Sequence, residues 1–284
     1  MQLDEISYSP DGQVAEILLS RPDQLNPISA RPGGTRDQIL WALEQAEQDP
    51  EIGSVLIHGA GRAFSAGGDL TGNATRETPF EQNRFLEQSE QFHNRHRQAS
   101  LPVVAAVHGY CLGAALQLIA VCDFVLAAPS ARFGVPEGRI GLVGAAPLVP
   151  VVGRQWAKFL VLTGELIDAE QAARIGLVLS VEAEEELVER ARDLCRRLAR
   201  LPRQSLLLNK RMVDAVADAS GDAAGRVAAM ARDVVTLSHS DHATAPDGRT
   251  FASIRRSEGV DGLKKARQAQ YTGPWLRSRS RPGP

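Results

Sequence analysis

Cysteine is scarce in this chain. Only Cys111, Cys122 and Cys195 occur among 284 residues. An odd number without close pairs excludes a disulfide framework or a cysteine-rich metal cluster. It points to a reducing compartment, the cytoplasm. An excess of charge of one sign is lacking as well. Lys and Arg number 32 against 34 Asp and Glu, for a net charge of −2. This excludes a protein that grips nucleic acid by bulk positive charge. It also excludes an acidic, disordered chain. Long apolar runs are missing too. The longest, residues 103–107 and 112–120, are broken by glycine and polar residues, whereas a membrane span needs about eighteen consecutive apolar positions. The opening MQLDEISYSPDG is polar, without the apolar centre of a signal peptide, and the closing RSRSRPGP reads as a frayed tail. Metal-ligand spacing is absent: His93 and His96 lie three apart on an expected helix with no carboxylate partner, so a solvated or core face is expected and no metal site. His239 and His242 carry no signal.

What is present is ordinary for a globular protein: 43% hydrophobic and 23% charged residues. The length suits one large domain, or a core with a small appendage. Tyr8 to Gly12 reads as a turn between short strands, the second at Val14–Leu19. Thr35–Gln48 carries Ile39, Leu40, Leu43 and Ala46 at helical spacing. Residues 54–58 form a short apolar strand, followed by a turn-helix unit over 64–70. Residues 71–78 are polar, a loop and a possible lid, and 80–98 are helical. The pattern then repeats: a strand at Val103–Val107, a turn at 108–112, a helix at 113–120 and a strand at Phe124–Ala127. Strand, tight turn and helix in alternation predict parallel pairing and α/β layers. From Glu184 strands stop. Residues 184–201, 205–217, 224–238 and 250–257 have helical patterns. A boundary near Leu201-Pro202 divides a core, 1–200, from a helical C-terminal region, 201–284. Leu187, Leu194 and Leu198 require a partner surface, on the core or on another subunit.

Two loops can carry chemistry. In Arg62-Ala63-Phe64-Ser65-Ala66-Gly67-Gly68-Asp69-Leu70, small residues let a ligand approach the backbone. There Asp69 opens a helical turn, and the alternative is a plain strand–helix turn that it caps. The second loop, residues 108–117, again joins a strand to a helix through small residues. Each can supply one N–H to the same oxygen, polarising a carbonyl and stabilising an enolate, with roughly 3–4 kcal/mol from each donor. A third segment, residues 133–138, holds Glu137 between Pro136 and Gly138. It is either an acid/base or a surface carboxylate. His108 fits a structural turn. Tyr110 and Cys111 fit packing.

These segments resemble the enoyl-CoA hydratase/isomerase (crotonase) superfamily. Arg21-Pro22-Asp23-Gln24-Leu25-Asn26-Pro27 resembles its RPxxxNA stretch, and residues 61–70 its GRAFxAGxDL stretch. Residues 101–123 resemble PVVAAVxGxxxGGGxELxxxCD, residues 131–137 ARFGxPE, and residues 163–176 TGxxxxAxxAxxxGLV. Phe251, Glu258-Gly259 and Lys264-Lys265 resemble the family's ending more weakly. Several ordered motifs with matching gaps are far more specific than one glycine motif.

The resemblance implies an α/β fold, a spiral of ββα turns, with a C-terminal helical region that builds homotrimers or hexamers as dimers of trimers. It implies an acyl-CoA thioester substrate, with coenzyme A as part of the substrate and no separate cofactor. It assigns the oxyanion donors to the N–H groups of Gly68 and Ala114. Arg62, Ala63, Phe64, Ala66, Gly67, Asp69, Leu70 and Gly113 fall in the substrate- and CoA-binding stretches. Glu137 matches one of the two glutamates of the hydratases. At the position of the other stands Gln117. Gln117 can hold a water but cannot accept a proton at neutral pH. Glu137 alone can shuttle a proton between carbons if burial raises its pKa. The readings are therefore hydration of an enoyl-CoA, a Δ3,Δ2-enoyl-CoA isomerisation through Glu137 alone, and a weakly catalytic acyl-CoA-binding protein. No Ser-His-Asp order supports a conventional hydrolase. Residues 141–147 replace the family's PGxGG, and Ala115 its third glycine, so the acyl pocket differs.

Overall fold

The computed structural model describes residues 2–70, 78–142, 148–219, 221, 224–225, 242–269, 271, 273 and 275–276. Nine strands are described, in two sheets. The larger has the order β1 (Ile6–Asp11), β2 (Val14–Leu19), β3 (Ser54–Gly59), β4 (Val103–Val107), β6 (Phe124–Ala127), β9 (Ser180–Val181). Only β1 runs antiparallel to its neighbour; every other pairing in this sheet is parallel. β1 is the edge, mostly exposed, and tolerates Pro10 there. The inner strands are buried almost throughout and mostly apolar because both faces are covered.

Successive residues of β2 show this: Ala15 and Ile17 join the main core on one face, and Val14 joins a second cluster on the other. α6 (Leu187–Ala199) caps that second face through Leu187, Ala191 and Cys195, with Leu194 and Leu198 packed alongside. The core of the same chain is thus the surface these leucines cover. Arg192 Nη2 reaches Glu16 Oε2 at 3.0 Å. His58 first, then Arg192, hold Glu16 down at about 2.

The smaller sheet has β7 (Arg132–Gly134) between β5 (Tyr110–Leu112) and β8 (Ile167–Asp168). The repeating unit is now visible. β4 turns at His108-Gly109 into β5, and α3 (Ala114–Ile119) follows; β6 likewise leads into β7 and then the short 3-10 helix Pro136–Ile140. Ser65, after β3, makes the corresponding bridge to Cys111. This is the α/β spiral of ββα units expected from the motifs.

Three expectations need correction. Residues 64–70 form no helix; their backbone is used in bridges to Ile28 and Cys111 instead. The expected turn at 108–112 ends in strand β5, which pairs with β7; three residues are too few for their alternation to be read. The helix at 250–257 runs on as α8 (Phe251–Gln268), broken at Gly259. Other helices lie close to their expected spans: α1 (Thr35–Gln48), α2 (Pro79–Arg97) and α7 (Arg203–Ala219). α2 begins with a Thr78/Glu81 capping box. α4 (Leu148–Thr163) and α5 (Ala169–Arg174) complete the described helices used below. Most of the expected lid at 71–78, most of the helix at 224–238, most of the 141–147 departure and the tail at 277–284 lie outside the described residues.

Candidate active site

The site grows out of backbone accounting, since a buried N–H needs an acceptor. Phe64 N donates to His108 O at 2.7 Å, Ser65 N to Tyr110 O at 2.8 Å and Ala66 N to Leu25 O at 2.9 Å. Gly67 N donates to Ser65 Oγ at 3.1 Å. Asp69 N donates to Ile28 O at 3.0 Å. Within 64–69, the N–H of Gly68 alone has no protein acceptor among the described residues. The bridge to Ile28 explains this, because its two bonds use Gly67 O and Asp69 N. Gly68 N–H then points away from Ile28. In the second loop, Leu112 N donates to Ser65 O at 3.2 Å and Gly113 N to Gly134 O at 2.9 Å. Ala114 opens α3, and its N–H also lacks an acceptor among the described residues.

Two glycines bring these donors together. Gly67 has φ +102°, and a Cβ on it would lie 2.6 Å from Leu112 O and 3.7 Å from Ala114 N. Gly113 has φ +52°, and a Cβ there would overlap Glu137 Oε1. Each residue before a donor therefore needs the left-handed backbone and the missing side chain of glycine. A Cβ on Gly68 would stand 3.9 Å from that of Ala114, so the two donor segments adjoin.

Glu137 lies in the 3-10 helix Pro136–Ile140, its carboxylate against Gly113. It is not a surface carboxylate. Burial pushes it up to about 6, against the pull of its own backbone N–H and Arg267. Its Oε2 is buried and without a hydrogen-bond partner. Gln117 lies on α3, three residues after Ala114, and is half-buried.

The remaining candidates divide by what they expose. Arg62 and Ala66 are exposed, and Leu70 is half-buried with its carbonyl accepting from Arg255 Nη2 at 2.7 Å. Ala63 and Phe64 point into the core. Asp69 is buried and accepts from Arg21 Nη1 at 3.0 Å. It caps no helix within the described residues. His108 Nε2 pairs with Gly61 O at 2.8 Å, the structural role expected for a turn histidine. His93 and His96 are buried on α2, and burial drives both down to about 3. Cys111 is buried, and burial drives its thiol well up, so it is no nucleophile. Tyr110 is 43% exposed. Cavities of about 540 and 470 Å3 lie beneath α7, lined by Arg97, Lys210 and Asp214 among others, and none of the candidate residues borders them.

Three residues not singled out in the sequence belong to the arrangement. Asn26 Nδ2 donates to Ala60 O at 2.8 Å and Ala63 O at 2.9 Å, pinning the first loop. Arg21 holds Asp69 from the same side. Both lie inside the RPxxxNA-like stretch, which was the available signal. Arg267, on α8, acts on Glu137 through space. In the sequence it is one of three cations at 264–267, and nothing local separates it from Lys264 and Lys265.

The site thus offers two adjoining unpaired N–H donors beside one buried carboxyl able to exchange a proton near neutral pH. Known proteins resemble the chain that carries it. The enoyl-CoA hydratase/isomerase family profile matches residues 10–269. A relative from Dictyostelium discoideum, described as a probable enoyl-CoA hydratase, mitochondrial, is 32% identical over 208 residues, covering 72% of this chain and 73% of its own. A short-chain-enoyl-CoA hydratase from Clostridium acetobutylicum is 30% identical over 219 residues, 75% of this chain and 82% of its own. The crystal structure of an enoyl-CoA hydratase/isomerase from Xanthobacter autotrophicus Py2 superposes with a TM-score of 0.87 at 27% identity, over 96% of this chain and 100% of that one. On these grounds the chain belongs to the enoyl-CoA hydratase/isomerase family of enzymes.

Proposed function

We propose that this enzyme acts on an enoyl-CoA thioester, holding the thioester oxygen between the N–H groups of Gly68 and Ala114 and moving protons with Glu137. The observation that carries the reading is the pair of adjoining, unpaired N–H groups next to a carboxylate packed on Gly113. Donors aimed at one oxygen favour the enolate over the ground-state carbonyl, contributing roughly 3–4 kcal/mol each. Glu137, at about 6, is ionised enough to take a proton and acidic enough to return it at neutral pH. Coenzyme A enters as part of the substrate, and no separate cofactor takes part.

In hydration, Glu137 removes a proton from a water that Gln117 holds. The resulting hydroxide bonds to the β-carbon, the double-bond electrons move into the enolate, and Glu137 returns its proton to the α-carbon. The names of the relatives favour this order of events. Gln117 favours a second reading. A neutral amide cannot share proton transfer, and isomerisation needs only one base. Glu137 then takes a proton from C2 of a 3-enoyl thioester and returns it to C4, moving the double bond without gain of mass.

The test is an assay with matched 2-enoyl- and 3-enoyl-CoA thioesters, products resolved by mass. A product one water heavier from the 2-enoyl substrate supports hydration. Mass-neutral conversion of the 3-enoyl substrate supports isomerisation. Binding of both without turnover overturns the enzymatic proposal in favour of an acyl-CoA-binding protein.

The proposed assembly is a homotrimer or a dimer of trimers. Its support is α7, none of whose residues is buried and which leaves Leu208, Met212 and Val213 more than 60% exposed. The proposed compartment is the cytoplasm. No described helix is long and apolar enough to cross a membrane.

A further inference from the structure

The 3-10 helix that carries Glu137 is covered by the C-terminal end of α8. Ile140 packs with the cluster of Ile254, Leu263 and Ala266. Arg139 Nη1 donates to Gln268 Oε1 at 3.2 Å. This packing brings the Arg267 guanidinium within electrostatic reach of both Glu137 and Arg139.

The surroundings of the two arginines differ. Arg139 is partnered at all three nitrogens. Its Nε donates to Thr163 O at 2.8 Å, and its Nη2 to Glu165 Oε1 at 3.2 Å. Its guanidinium carbon lies 3.6 Å from the centre of the Tyr271 ring. Glu165 closes that charge. Among the described residues Arg267 has no such carboxylate in ion-pair contact. Its Nε is buried with no acceptor, and burial lowers its pKa. Glu137 attracts it through space, but the two form no ion pair. Glu137 Oε2 is likewise buried and unbonded. Two polar atoms withdrawn from water and satisfied by nothing among the described residues are costly. They mark a place where a ligand supplies the missing partner.

The chemistry of that partner follows from the charges. A guanidinium only donates, and its planar fork matches a carboxylate. Glu137 cannot be its lasting counter-ion, because proton uptake during turnover neutralises it. An anion carried by the substrate keeps the guanidinium paired in both states of Glu137.

We propose that Arg267 is a specificity-determining residue that binds a carboxylate borne by the acyl chain, so that the enzyme selects carboxylated enoyl-CoA thioesters over unsubstituted ones. This rests on the acyl-CoA reading of the site given above.

The test separates the two claims. Glutaryl-CoA and pentanoyl-CoA share a five-carbon acyl chain, differ in the terminal carboxylate and lack the reactive double bond. Titration calorimetry with both probes is carried out on the wild-type, Arg267→Gln and Arg267→Lys proteins. The wild type is expected to bind glutaryl-CoA more tightly by roughly 10- to 100-fold, the scale of a hydrogen-bonded charge pair. Arg267→Gln is expected to erase that ratio, and Arg267→Lys to keep part of it. Pentanoyl-CoA binding reports whether each variant is folded. A wild type without the preference, or a preference that survives Arg267→Gln, overturns the proposal. Turnover of the matching 2-enoyl and 3-enoyl thioesters is read alongside. Preference without turnover upholds the role of Arg267 and refutes the proposed reaction; turnover without preference does the reverse.

Discussion

Glu137 answers to two opposed demands. Chemistry requires a carboxyl that gives and takes a proton near neutral pH, and stability prefers one that is solvated. Holding it at about 6 rather than the ordinary 4.5 corresponds to roughly 2 kcal/mol against the ionised form. The folded state binds this proton more tightly than the unfolded chain, so stability declines as pH rises from 4.5 to 6, and the full loss persists above 6. Glu137→Gln removes that cost. The variant is expected to lose turnover while retaining acyl-CoA binding. It is also expected to resist urea better than wild type at pH 8, by up to about 2 kcal/mol, with less advantage at pH 5. In the wild type, kcat/KM for base-dependent turnover is expected to fall as pH drops through about 6. Full activity in Glu137→Gln contradicts the assignment of the base, and equal stability at pH 8 contradicts burial as the cause of its shift.

At the scale of elements, Phe64 anchors the start of the first donor loop in the core, but the stretch from Ser65 to Asp69 carries only small or polar residues. It is tied down by the segment just after β2. Leu25 and Asn26 adopt positive φ, 61° and 51°, a conformation asparagine tolerates better than most residues. It lets Asn26 Nδ2 bridge Ala60 and Ala63. Asn26→Ala removes two buried hydrogen bonds and is expected to cost about 2–3 kcal/mol, read by chemical denaturation. If the loop positions Gly68, kcat is also expected to fall by tenfold or more at saturating substrate. A stability loss with kcat intact confines Asn26 to a purely structural role.

For the whole molecule, α6 and α7 follow one another but behave differently. α6 buries its apolar stripe on the sheet. α7 is attached by ion pairs instead: Lys210 Nζ to Asp123 Oδ2 at 2.7 Å, and Arg97 Nη2 to Asp218 Oδ2 at 2.9 Å. Its apolar residues turn outward, and a second copy of this chain is the proposed cover. Met212→Glu places a charge in that face and is expected to shift the protein toward monomer by light scattering, with the circular dichroism of the fold retained. A wild type that is already monomeric contradicts the proposed assembly.

Much of this was determined by the sequence alone. β2, β3, β4 and β6 are mostly apolar runs beside turn signals, α1 has clear periodicity, and both donor loops announce themselves by small residues after a strand. Such signals are local, and a chain with one sheet covered on both faces leaves them intact. Tertiary structure decided what local signals do not carry. Residues 64–70 are not helical because bridges to Ile28 and Cys111 take up their backbone, and β5 is a strand because β7 lies beside it. Gly68 N–H is available because Ile28 pairs only with its neighbours. The Glu137 carboxyl is withdrawn from solvent, and Gly113 cannot bear a side chain, because the two meet across 24 positions of sequence. Arg267 differs from the lysines before it only because α8 closes over Glu137. In each case the deciding contact joins residues distant in the chain, and burial then sets the hydrogen bonding and the charge.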